Sequence, residues 1–202
     1  MTDRGAGYAA VPPAAVVPSG SFGPAYAAMV AGCRFLIARG QGPHGVPAIR
    51  APHRGVAMRR AGNCLRELDR MLSVLVDAGV ADGAGGWLDS GTRKTPGVYA
   101  REGDAAHTIF RITALRTHFA ADMPRLRAIG RIRAMATGDM AVEAASRPAV
   151  DLAAATMGRA RCGHASPTAL VIGDAALATI AEFYWVLADR LHRLQARAVI
   201  AD

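Results

Sequence analysis

The sequence predicts a mainly α-helical protein: a bundle of about five to six helices, with a possible short β-hairpin near residues 80–89 and a disordered N-terminal arm. Two stretches carry apolar residues at alternating spacings of three and four, which is the pattern of a helix with one buried face. Prolines and glycines gather between such stretches and divide them into elements. Hydrophobic residues make up 51% of the chain and charged residues 20%, so the chain carries enough apolar surface to fold.

The N-terminal third contains a predicted arm, a helix and a loop. Residues 1–23 are rich in Ala, Pro, Gly and Ser and predict a flexible arm, which precedes a single helical domain over residues 24–202. Pro24 suits the first turn of a helix that ends near Gly40. The expected apolar face of this helix consists of Tyr26, Met29, Val30, Cys33 and Leu36. The proline- and glycine-rich stretch 40–55 predicts a loop.

The next helix has one of the two clearest patterns in the chain. Its apolar stripe consists of Ala61, Leu65, Leu68, Leu72 and Leu75. Gly79 is expected to end it, and a glycine-rich turn then separates two short segments that could pair as a hairpin from Val80 to Leu88. This order of helix, strand, turn and strand resembles the second half of a winged-helix unit, over residues 56–100. The resemblance implies that the helix enters the major groove of DNA; an ordinary helix followed by a glycine loop is the alternative.

Residues 104–200 predict a helical bundle or dimerisation part. The pattern is helical from Asp104 to about Ala136, with Pro124 starting a new helix. In that helix Leu126, Ile129 and Ile132 are expected to face the core, and Arg125, Arg127, Arg131 and Arg133 to face outward. A shorter helix from Pro148 is expected to carry Val150, Ala153 and Met157 on one face.

The last helix has the second of the clear patterns. Its three-four repeat consists of Leu177, Ile180, Tyr184, Leu187, Leu191, Leu194 and Ala198. Such a face packs inside a bundle or against a second copy, so the 177–198 face is a candidate homodimer contact. On the outer side of this helix, Asp189 and Arg193 are spaced to form an ion pair.

The excess of positive charge lies near the N-terminus of the chain. The formal net charge is +8, and between Arg4 and Arg66 there are eight arginines and no acidic residue. A segment that contains arginines and no acidic residue favours an anionic partner, and nucleic acid is the leading candidate. The predicted nucleic-acid-binding residues are Arg50, Arg54, Arg59, Arg60 and Arg66.

Two Arg-His pairs suggest a different function. Arg101 precedes His107 by six positions, and Arg111 precedes His118 by seven. This spacing resembles that of HEPN-type helical ribonucleases, and the resemblance implies that an arginine and a histidine from two protomers act on an RNA phosphodiester. The alternative is that both histidines are surface or helix-capping residues.

The sequence offers no pattern for a metal or cofactor. Cys162 and His164 are too few ligands for zinc, and Walker-type, nucleophile-elbow and His-Glu-x-x-His motifs are absent, so we expect no metal and no cofactor. The three cysteines form no Cys-x-x-Cys unit, which favours a reducing, cytoplasmic location. The longest apolar stretch, residues 25–38, is interrupted by Arg34 and too short for a membrane span.

The leading hypothesis from these observations is a basic helical nucleic-acid-binding or regulatory protein that contacts phosphates through arginines of the 34–66 segment. One alternative is a small HEPN-like ribonuclease that uses the Arg-His pairs. Another is a non-catalytic scaffold or accessory subunit that binds an acidic protein through the same arginines.

Overall fold

The computed structural model describes residues 20–41, 54–82, 104–138, 148–157 and 172–201. In these residues it contains seven α-helices and no strand, which confirms the mainly α-helical prediction. The helices are α1 Phe22–Gly40, α2 Arg54–Ala81, α3 Ala105–Arg111, α4 Thr113–His118, α5 Met123–Thr137, α6 Pro148–Thr156 and α7 Asp174–Ala201. A 3-10 turn, Ala120–Asp122, joins α4 to α5.

The centre of the bundle is made by its long helices. α1 packs along α7, and α2 contacts α1, α5 and α7. The short helix α3 lies against α2 and α5, while α6 packs on α5 and reaches α7. Because α2 touches four other helices, its apolar stripe is covered from several sides, and all of its predicted members are buried: Ala61, Leu65, Leu68, Leu72 and Leu75.

The apolar face of α1 also follows the periodicity of the sequence. Tyr26, Met29, Cys33 and Leu36 of α1 are buried, and Val30 packs at the edge of the core. Burial raises the pKa of the Cys33 thiol to about 12, so this cysteine is a protonated apolar group at neutral pH.

The structure corrects the prediction at both ends of the α1–α2 unit. Phe22, assigned to the arm, is fully buried and begins α1, while residues 1–19 lie outside the described part of the chain. At the other end, α2 continues past Gly79, so that Val80 and Ala81 are helical rather than the start of a strand. The helix continues because Val80 is buried in the core. The rest of the predicted hairpin lies outside the described residues.

Those two ends are joined by one carboxylate. Asp82, directly after α2, accepts hydrogen bonds from the backbone N–H groups of Ser21 (3.1 Å) and Phe22 (2.8 Å) and from the Ser21 hydroxyl (2.7 Å). No side chain of α1 caps its own N-terminus. Asp82 therefore supplies the acceptor that the first turn of α1 needs.

The face predicted for α6 is wrong. Val150 and Ala153 are exposed, and Met157 follows the helix with a φ of 51° and a side chain 71% exposed. The buried side instead carries Asp151, Leu152, Ala155 and Thr156. Asp151 turns inward because Arg131 of α5 binds it with two guanidinium nitrogens, an ion pair that periodicity of apolar residues does not reveal.

The heptad face of α7 serves the bundle of its own chain. Leu177, Ile180, Tyr184, Leu187 and Leu191 are all buried against other helices of the same molecule, and Leu194 is partly buried. A second copy cannot pack on side chains that are already covered, so this part of the 177–198 face is not the homodimer contact that the sequence suggested. The expected surface ion pair of this helix is present, with Arg193 and Asp189 2.5 Å apart.

Candidate nucleic-acid interface

Two early arginines from different helices meet at one carboxylate. The Nε of Arg39, at the end of α1, lies 3.2 Å from Asp174, and Arg60 of α2 approaches the other oxygen of the same carboxylate to 3.9 Å. All three side chains are between 37% and 46% exposed. Asp174 opens α7, so the C-terminus of α1 and the first turns of α2 and α7 come together here.

Close backbone packing fixes this meeting point. A side chain at Gly40 would place its Cβ 2.4 Å from the Cβ of Ala178 and 2.8 Å from the carbonyl oxygen of Asp174. Only a residue without a Cβ lets the end of α1 approach α7 so closely. The position of Arg39 beside Asp174 is therefore set by the close packing of α1 on α7.

The other residues of the predicted binding set are distributed along α2. Arg59 is exposed and donates a 3.4 Å hydrogen bond to the carbonyl of Gly55, one turn earlier. Arg66 is exposed two turns further along the helix. Arg54 is the first residue of α2, and Arg50 lies outside the described residues. We call the group formed by Arg39, Arg59 and Arg60 the basic end of the bundle.

Arg34 is engaged in another way. Its guanidinium lies over the ring of Trp185, 5.2 Å from the ring centroid, on the flank where α1 packs on α7. A guanidinium over an indole ring is a favourable cation–π contact and keeps its charge at the surface. Arg34 is thus part of the α1–α7 interface and lies away from Asp174.

A groove lies between α3 and α5. It has a volume of about 490 Å³ and its lining includes Asp104, His107, Phe110, Met123, Arg127, Gly130 and Arg131. His107 and Arg127 are exposed, and Phe110 is 46% exposed although it is aromatic. The groove therefore combines an apolar surface with cationic side chains. The sequence did not single out Phe110, and it placed Arg127 only on a generally outward face.

A buried polar network supports the base of this groove. Arg133, expected to face outward, is only 18% exposed and binds Asp69 of α2 together with Asp104, the latter at 3.0 Å. The hydroxyl of the fully buried Tyr184 donates to Asp69. Burial raises the pKa of Asp69 to about 6 even though the Arg133 charge and the Tyr184 hydroxyl lower it.

The outward arginine face predicted for α5 is only partly present. Leu126, Ile129 and Ile132 are buried as expected. Arg125 folds over the ring of Phe183, 4.1 Å from its centroid, and donates a 2.7 Å hydrogen bond to the carbonyl of Ala155. Arg127 is the member of that face that is exposed and makes no ion pair or hydrogen bond in the part of the chain that the structure describes.

The two histidines of the Arg-His pairs have different surroundings. The backbone N–H of His107 donates a 2.8 Å hydrogen bond to Asp104, which caps α3, and His107 is one of the residues that line the groove. His118 is the last residue of α4. Its pKa is lowered mainly by partial burial, and also by the nearby positive charges of Arg190 and Arg197. Arg101, the predicted partner of His107, lies outside the described residues.

The described ranges contain no group of three or more His, Cys, Asp or Glu residues placed to hold a metal ion. Cys162 and His164 lie outside them. None of the described helices combines the length and the apolar character needed to cross a bilayer. Comparison with protein-family models, with curated proteins and with solved structures finds no match to this chain.

Proposed function

We propose that this protein binds the phosphate backbone of nucleic acid through its basic end. The observation that carries the proposal is that Asp174 of the last helix neutralises Arg39 and Arg60 only in part: two guanidinium charges share one carboxylate, and both side chains stay 37–44% exposed. Arg59, the sequence neighbour of Arg60, is also exposed, so α2 presents two consecutive arginines. The N-terminus of α7 at Asp174 adds the positive end of one helix dipole, which the C-terminal end of α1 at Arg39 opposes.

The ion pairs at the basic end are weak enough for a phosphate to compete with them. Exposed ion pairs are worth about 0–1 kcal/mol, because water and salt screen them. The contact of Arg60 with Asp174 is at 3.9 Å, the long limit of such a pair. A phosphate can therefore engage Arg60 and Arg59 at little cost, whereas arginines such as Arg133 are held by buried partners.

Salt dependence of binding tests this proposal directly. Each phosphate neutralised in duplex DNA contributes about −0.9 to the slope of log affinity against log salt concentration, because condensed counterions are released. Measured by fluorescence anisotropy with a labelled duplex, the affinity should fall as salt rises. The double substitution Arg59→Gln and Arg60→Gln should weaken binding and reduce the steepness of that slope by about 2.

Two further variants make the test specific. Arg193→Gln is a matched control, since Arg193 is also an exposed arginine with one carboxylate partner, and it lies about 28 Å from Asp174 along α7, at 1.5 Å per residue. Asp174→Asn should act in the opposite direction and tighten binding, because it removes the anion that competes with phosphate. An affinity that changes equally with Arg193→Gln and with the double variant would contradict the proposal.

The scaffold hypothesis predicts a different preference for the same arginines. An acidic protein partner presents carboxylates on a flexible chain, for which polyglutamate is a simple probe. If polyglutamate displaces the labelled duplex at a much lower concentration of negative charges than unlabelled DNA does, the arginines bind an acidic protein. We expect unlabelled DNA to displace the duplex at the lower concentration.

RNA cleavage is a second candidate function, favoured by one observation: His107 lies in the groove with Arg127 and Arg131. An imidazole can transfer the proton of a ribose hydroxyl, and an arginine can stabilise the charge that develops on the phosphate. A gel assay on mixed RNA with His107→Ala and His118→Ala tests this function. Loss of cleavage in either variant supports it, while intact RNA with the unsubstituted protein excludes it.

A further inference from the structure

The groove between α3 and α5 combines an exposed aromatic residue with positively charged side chains, which the packing of the helices does not require. Phe110 lines the groove although the residue is 46% exposed, and the buried Met123 adds an apolar surface to the lining. The guanidinium of Arg116 lies over the Phe110 ring, 5.3 Å from its centroid, so a cation is held beside this ring. Exposing an aromatic ring to water gives up free energy that burial would provide, so this arrangement suits a ligand that covers the ring.

The charges of the groove are matched except at Arg127. Arg131 is held by Asp151, with a shortest distance of 2.6 Å, and Arg133 is held by Asp69 and Asp104. In the described part of the chain Arg127 is exposed and makes no ion pair and no hydrogen bond. An aromatic ring and an unmatched guanidinium within one groove are complementary to a ligand with a flat ring and a nearby negative charge.

The helix that lines the groove also contacts the helix that carries Arg59. Ala134 of α5 lines the groove, and further along α5 the buried Ala136 and the neighbouring Thr137 pack against Gly62 of α2. Gly62 follows Arg59 by three residues, or about 4.5 Å along the helix axis. The groove and Arg59 are thus carried by two helices in direct contact.

We propose that the groove receives an unpaired base of a single-stranded nucleic acid, stacked on Phe110, with the adjoining phosphate on Arg127. This inference rests on the proposed function and adds a preference for single strands to it. In a duplex the faces of the bases are covered by their neighbours, so a ring such as that of Phe110 has nothing to stack on. A single strand offers both the base and the phosphate.

The experiment compares one labelled single strand with the duplex of the same sequence by fluorescence anisotropy. Phe110→Ala should weaken single-strand binding by about 5- to 160-fold, the range found when one base–aromatic stack is removed, and leave duplex binding unchanged. Phe35→Ala is the matched control, because Phe35 is a 64% exposed aromatic residue of α1 outside the groove. It should change neither affinity.

A steric variant tests the groove without removing a contact. Gly130 lines the groove and a Cβ added to it meets no atom within 4 Å, so the side chain of Gly130→Leu starts in open space, and circular dichroism checks that the helices remain. It should lower single-strand affinity at least as much as Phe110→Ala. Arg127→Gln should lower it as well, and the Arg193→Gln control should not.

The outcomes separate the two proposals. If the Phe110→Ala and Gly130→Leu variants bind the single strand within twofold of the unsubstituted protein, the groove proposal is overturned, even where the Arg59 and Arg60 variant confirms the basic end. If single strand and duplex both fail to bind at low salt, the proposed function itself fails. Selective loss of single-strand binding in the groove variants supports both.

Discussion

The buried carboxyl of Asp69 should make this protein less stable as the pH rises from about 4 to about 7. Its pKa is raised from the ordinary value of 3.8 to about 6 because the group is buried, and only 3% of the residue is exposed. In the folded protein Asp69 therefore still holds its proton at a pH where the unfolded chain has lost it. Since the folded state binds more protons in this range, the free energy of unfolding decreases as protons are removed.

The size of this effect follows from the two pKa values. A difference between 3.8 and about 6, at about 1.4 kcal/mol per pKa unit, corresponds to about 3 kcal/mol. The contribution is fully present below pH 4 and is lost by the time the pH has passed the folded value near 6. It is a substantial part of the roughly 5–15 kcal/mol by which a domain is stable.

Urea unfolding followed by circular dichroism at several pH values measures this contribution. The Asp69→Asn variant has no proton to lose, and its amide keeps one oxygen acceptor where Asp69 offers one oxygen to Arg133 and the other to Tyr184. Between pH 4 and pH 7 its stability relative to the unsubstituted protein should therefore rise by about 2 kcal/mol, which is less than the whole effect because the unfolded carboxyl is already partly ionised at pH 4. An Asp189→Asn control reports the effect of removing a partly exposed carboxylate, whose side chain is 33% exposed. A constant difference between the Asp69→Asn variant and the unsubstituted protein across this range would show that the pKa of Asp69 is not raised in the folded protein.

Two further substitutions test the contacts that assemble the bundle. Asp82→Ala should cost about 1–2 kcal/mol, because the N–H of Phe22 and its neighbour lose their cap. The hydrogen bonds from Phe22 and Ser21 outweigh burial and lower the pKa of Asp82, so its stabilising effect should disappear as the pH falls, opposite in sign to that of Asp69. Gly40→Ala, measured in the same urea assay, should cost about 1–3 kcal/mol by forcing α1 away from α7, whereas Gly55→Ala, which meets no atom within 4 Å, should be neutral or stabilising.

The helical faces could be predicted from the sequence because each depends on a local repeat. The stripes of α2 and α7 repeat every three and four residues, and the spacing alone determines which side is apolar. The face of α6 could not be found in this way, because Asp151 is buried by an ion pair with a residue of another helix. Similarly, the extension of α2 past Gly79 depends on the burial of Val80, which is a tertiary effect.

The candidate site was predictable only in part, for the same reason. Charge asymmetry pointed to arginines of the N-terminal third, and Arg39 with Arg60 do lie together in the fold. Their common partner, Asp174, lies 135 residues after Arg39, and no pattern in the sequence links them. The groove is still less visible, since it requires Phe110 of α3 to face Arg127 of α5, and that depends on how two helices pack.

The polar network beneath the groove explains why its walls can be held in a fixed position. Asp104 accepts the N–H of His107 with one oxygen and the guanidinium of Arg133 with the other, so a single carboxylate both caps α3 and ties it to α5. Arg133 is anchored in turn by Asp69, which Tyr184 of α7 also binds. A groove whose two sides are joined by buried, charge-assisted hydrogen bonds needs little reordering when a ligand enters, and preorganisation of this kind lowers the entropic cost of binding. For the same reason, titration of Asp69 should affect the groove as well as stability, because the carboxylate that loses its charge is the one that anchors Arg133.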